Sequence, residues 1–255
     1  MVLQSLGRVA AAAVFAFAAC AARAAEFSDG QKTEIRAIIK DYLVANPDVM
    51  RDALVEVDKR AKAEEVSARE QAVGDQAAVI FDSKRQAVVG NPNGKVTLVE
   101  FFDYNCGYCK KAVGDLTQLM KANPDLRVVL KDFPVLGPGS VEAAQIATAA
   151  RNQLKGDRFW EFHQKLLATR GQIGKAQALG VAKEFGVDMD RLARDAADPE
   201  TRASIKETMI LADGLSLTGT PSYVVGRDII VGAVGYDELS AKLSNVRRCG
   251  KAACS

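Results

Sequence analysis

The sequence has little cysteine, little histidine and no excess of charge of either sign. Five cysteines and one histidine among 255 residues exclude the class of small domains held together by disulfides. Lysine and arginine number 34 and aspartate and glutamate 32, and without Arg8 and Arg23 of the leader described below the charges balance. With no basic patch and no acidic tail, we expect no nucleic-acid partner. Nearly half of the residues are apolar, which suffices for one large domain with or without an appendage.

The uncharged run near the start of the chain is too short to span a bilayer. It covers residues 9–22, follows Arg8, and ends in Ala22-Arg23-Ala24, which fits an A-x-A cleavage site. This pattern predicts a signal peptide over residues 1–24 and export to the periplasm, an oxidising compartment. The alternative is a lipoprotein anchored at Cys20, but Phe17 is unusual for a lipobox and the cleavage site favours the signal peptide.

One stretch carries a recognisable chemistry. Residues 96–102, VTLVEFF, form the apolar pattern of a strand buried on both faces, and Cys106-Gly107-Tyr108-Cys109 follows after a short polar turn. Cys106 is therefore predicted at the start of a helix, where free N–H groups and the helix dipole favour its thiolate. Cys109 lies one turn further along and is more shielded. The pair has the attacking and the resolving sulfur that thiol–disulfide exchange requires.

Zinc binding is the alternative reading of this cysteine pair. Two further ligands would be needed, and the chain offers only His163, Cys249 and Cys254, so we expect no metal. In an exported protein Cys249 and Cys254 most simply form a local disulfide. A second redox pair or a Cu(I) site in the tail remains the alternative.

Three motifs together resemble one family. The run EFFDYNCGYCK, the later FPVLG (residues 133–137) and TGTP (residues 218–221) are similar to the DsbA family of oxidoreductases, in the branch with an extra N-terminal helical segment. Within it, the chain is most like the trimeric isomerases related to suppressor-of-copper-sensitivity proteins. The resemblance covers about residues 28–247. It implies an α/β thioredoxin fold over residues 83–255, a helical insertion at about 140–217, and a helical oligomerisation arm over residues 25–82.

The same resemblance assigns roles to single residues. It implies that Pro221 is a cis-proline facing the active-site disulfide and that Thr220 offers its backbone to an extended substrate. Gly107 and Tyr108 complete the predicted substrate-binding residues, and the Cys106–Cys109 disulfide is the only redox group, without a further cofactor. Glu100 is the implied buried carboxylate under Cys109.

Glu100 is also unusual when considered by itself. An acidic residue inside an apolar strand is costly unless it has a function or a partner. A buried carboxyl has a raised pKa and can accept the proton that Cys109 loses. The alternative is an ion pair with a lysine such as Lys131.

The predicted arm consists of two helices with narrow apolar stripes. Ile35, Ile38 and Tyr42 lie on one face of the first helix, and Met50, Leu54 and Val57 continue on the second. Such a pair cannot form a core alone, so it packs on the main domain or on another copy, and the resemblance favours the copy. Val66, Val73 and Ile80 recur at seven residues, a weak coiled-coil pattern, although a solvated linker helix over residues 62–78 is an equal alternative.

The remaining pattern predicts short strands and several helices. Strands are expected near Val88, over residues 127–131, and in a closing hairpin at 223–225 and 229–231. His163, next to Trp160 in an aromatic helix, is expected to be a packed core residue rather than a catalyst. The expected helices are 107–122, 141–154, 158–168 capped by Asp157, 175–185, 189–196 capped by Asp188, 199–213, and a last one capped by Asp237 and ending near residue 246.

The predicted function is protein-disulfide isomerisation or reduction on misfolded exported proteins that contain disulfides. No histidine stands between the two cysteines to supply positive charge, and threonine precedes the expected cis-proline, both as in isomerases. The runner-up is a dithiol oxidase, and a copper-binding or holding chaperone is the alternative from another class. The expected partners include a membrane redox protein and further copies of the chain, joined through residues 25–82.

Overall fold

The computed structural model of the protein describes residues 27–254. The predicted signal peptide, its cleavage site and the alternative anchor at Cys20 lie outside the described residues. Within residues 27–254, no helix combines the length and the apolar character needed to cross a membrane. The chain divides into two compact units, one ending at Lys62 and one beginning at Ala63.

The first unit contains helix α1 (Asp29–Ala45) and the first half of helix α2 (Pro47–Asp75). α1 begins at Asp29, because Ser28 and Gln31 form a reciprocal capping box, each side chain bonding the other's backbone N–H. Asn46 ends α1, and Pro47 occupies the first position of α2, where its missing N–H costs nothing. Every residue of α1 is exposed or half-buried, so the unit has no core of its own.

The second unit begins earlier than the arm boundary predicted at residue 82. The last turns of α2 and helix α3 (Ala77–Asp82) belong to it. Val73 and Ile80 are buried in the same cluster as Phe101 and Val129 of the sheet. The apolar repeat at these two positions therefore serves packing against the sheet of the same chain, and the independent helical arm ends near Lys62.

One sheet organises the second unit. Its strands are β1 (Ala87–Gly90), β2 (Val96–Phe102), β3 (Leu126–Asp132), β4 (Ser222–Val225) and β5 (Asp228–Val231), in the order β1-β3-β2-β4-β5 within the described residues. β2 and β3 are parallel, and the other neighbours are antiparallel. The β4–β5 hairpin turns at Gly226, whose φ of 60° suits glycine.

Helices cover both faces of the sheet, which confirms that β2 is buried on both sides. Leu98, Glu100 and Phe102 point to one face, called the α4 face below, and α4 (Gly107–Ala122), α6 (Gly156–Leu167) and α10 (Tyr236–Cys249) contribute to its core. Val99 and Phe101 point to the opposite face, where α3 and α9 (Pro199–Gly214) supply Ile80 and Leu211. This alternation follows from the period of two in a strand.

The predicted helical insertion lies between β3 and β4. Besides α6 and α9 it contains α5 (Pro138–Ala150), α7 (Lys175–Glu184) and α8 (Met189–Ala197). Asp188 caps α8 as predicted, accepting from the Arg191 N–H at 2.9 Å. The expected caps Asp157 and Asp237 are wrong, because each lies in the first turn of a helix that begins one residue earlier, at Gly156 and Tyr236.

A disulfide and a hydrogen bond fix the C-terminal tail on α10. Cys249 and Cys254 form a disulfide, which confirms the local pairing expected from the sequence. The bridge closes a short loop in which Ala252 is buried in the core of the α4 face. The Asn245 side chain donates to the Ala252 carbonyl at 2.9 Å and fixes the loop on α10.

Candidate functional site

Cys106 occupies the predicted junction between strand and helix. β2 ends at Phe102, and after three residues Cys106 is the N-cap of α4, with its N–H donating to the Asp103 carbonyl at 3.0 Å. Its thiol is 5% exposed and free. The sulfur donates to the Thr220 carbonyl at 3.1 Å. Two segments that are 114 residues apart in sequence therefore meet at the attacking sulfur.

The Thr220–Pro221 peptide bond is cis, as the resemblance implied. Ser222, which follows Pro221, stabilises this turn, because its hydroxyl donates to the Gly219 carbonyl at 2.7 Å. The Pro221 carbonyl accepts from the Gly232 N–H at 2.8 Å. These bonds hold the loop before β4 to itself and to Gly232 after β5, while Thr220 presents its carbonyl to Cys106.

Cys109 is free and 1% exposed, on the side of α4 that packs against the sheet. Burial, and after it the negative charge of Glu100, raise the pKa of Cys109 well above its ordinary value. This thiol must give up its proton before it can attack a mixed disulfide. The arrangement therefore calls for a base close to Cys109.

Glu100 fits that requirement. It is 2% exposed and shares the α4 face with Cys109. Burial raises the pKa of Glu100 to about 8, and neighbouring Tyr223 opposes the rise. A carboxyl with this pKa exchanges protons near neutral pH, which suits a group that accepts a proton and returns it.

The alternative ion pair between Glu100 and Lys131 is wrong. In the parallel register Glu100 lies beside Leu130 and Lys131 lies beside Phe101, so the two side chains point to opposite faces of the sheet. Lys131 instead donates to the Val79 carbonyl at 2.6 Å, in the segment of α3. Burial lowers the pKa of Lys131 to about 8. Its bond anchors α3 on the sheet.

Asp103 links the FPVLG motif at residues 133–137 to the turn before Cys106. The sequence analysis did not single out this residue. One oxygen of buried Asp103 accepts from the N–H groups of Val135 and Leu136, both at 2.9 Å, and the other accepts from the Asn105 N–H at 2.7 Å. Its position directly after a buried strand was the available signal, since a short acidic side chain there often bonds nearby backbone. Asp103 thereby fixes two loops around the active site.

Asn105 is a second missed residue. Its side-chain oxygen accepts from the Ile173 N–H at 2.7 Å, and its amide donates to the Ile173 carbonyl at 2.8 Å and to the Ser140 hydroxyl at 3.0 Å. The residue before Cys106 therefore holds the start of α5 and the loop before α7. Lys110 adds a bond to the Thr169 carbonyl at 3.0 Å. The helical insertion is fastened to the active-site helix by these contacts.

The predicted substrate-binding residues Gly107 and Tyr108 lie at the exposed end of α4. A Cβ added at Gly107 would meet no atom within 4 Å, so the backbone there is open to an incoming chain. The Tyr108 side chain is 65% exposed, and Val135 and Leu136 are 41% and 50% exposed on the neighbouring loop. Tyr108 follows Cys106 by two residues, and Val135 and Leu136 are bonded through their N–H groups to Asp103, three residues before Cys106. Exposed apolar side chains therefore lie on both segments next to the cysteine motif.

His163 is a core residue, as expected. It is fully buried and stacks on Trp160. Its Nδ1 atom shares a hydrogen bond of 3.2 Å with the Tyr104 hydroxyl. Burial lowers the pKa of His163 to about 3, so the ring is neutral at physiological pH. The ring supports Tyr104 in the loop before Cys106. Among residues 27–254, no group of three or more histidine, cysteine, aspartate or glutamate side chains is placed to hold a metal ion.

Comparisons with known proteins agree with this geometry. Residues 97–244 match the DSBA-like thioredoxin domain, and residues 31–64 match the copper resistance protein ScsC N-terminal domain. A thioredoxin-like oxidoreductase from Silicibacter pomeroyi is 38% identical with a TM-score of 0.64, covering 68% of this chain and 98% of its own. Proteus mirabilis ScsC in a compact conformation is 27% identical with a TM-score of 0.65, covering 86% and 99%.

A curated relative is much longer than this chain. The Na(+)/H(+) antiporter NhaA 1 of Salinispora arenicola is 32% identical over 169 residues, which make up 66% of this chain and 26% of the relative. The chain spans about a quarter of the length of the first curated relatives that it matches. The match of residues 97–244, which make up more than half of the chain, shows that this chain belongs to the family of DSBA-like thioredoxin domains.

Proposed function

We propose that this protein is a periplasmic disulfide isomerase that rearranges disulfides in misfolded exported proteins. The observation that carries the proposal is the contact between the Cys106 sulfur and the Thr220 carbonyl, with Cys109 buried behind it. A substrate strand that pairs with the backbone of Thr220 would bring its disulfide to Cys106. The periplasmic location rests on the leader predicted for residues 1–24.

The proposed chemistry has two branches after a shared first step. The Cys106 thiolate attacks a substrate disulfide, forming a bond between Cys106 and one substrate sulfur and releasing the other as a thiolate. In isomerisation, a different substrate thiolate attacks the mixed disulfide, forms a new substrate disulfide and regenerates the Cys106 thiolate, with no net electron transfer. The substrate is rearranged and the enzyme is unchanged.

In the second branch Cys109 resolves a mixed disulfide that does not rearrange. The Cys109 thiol gives its proton to the Glu100 carboxylate, and the Cys109 sulfur attacks the Cys106 sulfur. The Cys106–Cys109 bond forms and the bond to the substrate breaks, so two electrons pass from the protein to the substrate. The substrate sulfur leaves as a thiolate. A membrane redox partner would then reduce the Cys106–Cys109 disulfide.

Two features favour isomerisation over oxidation. A strong oxidant stabilises its reduced thiolate with a nearby cation, and only Gly107 and Tyr108 stand between the cysteines. An isomerase also has to hold its substrate while bonds rearrange, and the exposed apolar groups of Tyr108, Val135 and Leu136 offer a surface for that.

The test is reactivation of scrambled ribonuclease. We expect activity in the wild type, loss in Cys106→Ala, and accumulation of a mixed disulfide in Cys109→Ala. The double variant Cys249→Ser and Cys254→Ser is the control, because it removes two sulfurs away from the site. Equal activity in the wild type and in Cys106→Ala would refute the proposal. Fast oxidation of reduced peptides with poor reactivation would favour an oxidase, and a stoichiometric Cu(I) complex without exchange would favour a copper chaperone.

We also propose that the first unit joins copies of this chain. Ile38 and Tyr42 of α1 are 67% and 56% exposed, and Leu54 and Val57 of α2 are 65% and 64% exposed. Two helices with uncovered apolar stripes and no core of their own are stabilised when the stripes pack on an equivalent pair. Every copy of this chain carries the same apolar stripe, so a second copy offers a matching surface for it.

Light scattering on the full chain measures this association. Ile38→Lys together with Leu54→Lys should reduce the mass to that of one chain, because each places a charge within the stripe. Ala37→Lys, on the opposite side of α1 by the 100° step of a helix, is the matched control and should leave the mass unchanged. A wild type with the mass of one chain, or a stripe variant that keeps the oligomer, would contradict the proposal.

A further inference from the structure

Tyr223 lies directly across from Glu100. In the antiparallel register of β2 and β4 these two residues are partners, so their side chains leave the sheet on the same face. Tyr223 is 1% exposed and belongs to the core cluster that also contains Cys109. The phenol, the carboxyl and the resolving thiol are thus enclosed in one part of the α4 face.

The Tyr223 hydroxyl is buried and has no hydrogen-bond partner of normal geometry among residues 27–254. A buried phenol usually has such a partner, and leaving it without one costs free energy. Phenylalanine would fill the same volume without that cost. The Tyr223 hydroxyl is therefore a buried donor without a well-formed bond, and Glu100 is its partner across the strand register.

The direction of the pKa shifts agrees with a position of the Tyr223 hydroxyl near Glu100 and Cys109. Burial raises the pKa of Tyr223 far above its ordinary value, and negative charges on Glu100 and on Cys109 raise it further. The hydroxyl consequently stays protonated and can only serve those charges as a donor. Conversely, Tyr223 is the group that opposes the raised pKa of Glu100.

We propose that Tyr223 is a positioning residue for the resolving step, and that its hydroxyl donates to the Glu100 carboxylate whenever that carboxylate is ionised. This role rests on the proposed function, in which Glu100 takes the proton of Cys109. With the carboxylate held by Tyr223, Glu100 is ready to accept that proton. After the transfer, the Cys109 sulfur attacks the Cys106 sulfur and the substrate thiolate leaves. Tyr223 itself gains and loses no proton.

Tyr223→Phe tests the role, because it removes only the hydroxyl. Reduced protein is mixed with saturating peptide disulfide, and the rate of peptide thiol release is measured between pH 5 and 10. We expect the inflection due to Glu100 to move up by about one pH unit, with release at pH 7 roughly tenfold slower, as for a lost hydrogen bond to a charged group. Tyr236→Phe, which removes a half-buried phenol on α10, is the matched control and should reproduce the wild-type profile.

Two further variants separate this role from plain packing. In a Glu100→Gln background, Tyr223→Phe should have no further effect on the pH profile. An independent readout is infrared titration of the Glu100 carboxyl, whose pKa should rise in Tyr223→Phe whether or not the protein turns over. An unchanged inflection and an unchanged Glu100 titration, with at most a lower melting temperature, would overturn the role of Tyr223. A wild type without exchange activity would overturn the proposed function, while the infrared titration would still decide whether Tyr223 bonds Glu100.

Discussion

Replacing Glu100 with glutamine should make the stability of the protein less sensitive to pH. Burial raises the pKa of Glu100 from its ordinary 4.5 to about 8. In the unfolded chain the carboxyl has its ordinary pKa, so between pH 4.5 and 8 the unfolded state binds fewer protons than the folded state. The free energy of unfolding therefore falls as pH rises through this window, and the contribution of the neutral carboxyl is complete only below pH 4.5.

The magnitude follows from the two pKa values. Each pH unit between them is worth about 1.4 kcal/mol, so the wild type should lose about 3 kcal/mol between pH 5 and 7 through this one group. Glutamine has nearly the same shape and remains neutral. The stability difference between Glu100→Gln and the wild type should therefore move in favour of the variant by that amount, whatever its value at pH 5.

Urea unfolding of the wild type and the variant at half-unit steps from pH 4 to 9 measures this difference. Asp132→Asn is the matched control, because burial raises the pKa of Asp132 only to about 6. The difference in the free energy of unfolding between Asp132→Asn and the wild type should stop growing near pH 6. The corresponding difference for Glu100→Gln should grow until about pH 8. A constant difference for Glu100→Gln across this range would refute the conclusion that Glu100 is buried as a neutral acid.

Three further predictions concern His163, Asn105 and the disulfide of the C-terminal tail. His163 has its pKa lowered to about 3 by burial, so the wild type should lose stability as pH falls from 6.5 towards 3, and urea unfolding of His163→Gln should show a smaller loss over the same range. Asn105→Ala removes three hydrogen bonds to the insertion and should lower the free energy of unfolding by about 1–3 kcal/mol while increasing proteolysis near Ile173; unchanged proteolysis would contradict the clamp. The double variant Cys249→Ser and Cys254→Ser opens a short loop and should lower stability by about 2 kcal/mol, with ribonuclease reactivation retained; lost reactivation would instead assign the tail to the exchange chemistry.

Several features of this protein are determined by local sequence. The apolar run of β2 followed by Cys106 places the attacking sulfur at the start of α4, because a buried strand and a helix each have a short-range pattern. The capping box of Ser28 and the hairpin turn at Gly226 are likewise set within a few residues. The chemistry of the cysteine pair could thus be predicted from residues 96–111, whereas the family resemblance also needed the motifs at residues 133–137 and 218–221.

Other features depend on which distant segments meet, and a local pattern carries no information about that. Whether Glu100 faces Lys131 or Tyr223 is decided by the registers of β2 with β3 and β4, and moving either by one residue would reverse the answer. The apolar positions Val73 and Ile80 suit a coiled coil and a sheet face equally, and only the sheet beneath them makes the choice. Short-range patterns of the sequence therefore determined where the reactive cysteine lies. Long-range strand pairing in the folded chain decided which groups surround it, because a short-range pattern does not specify the distant partner.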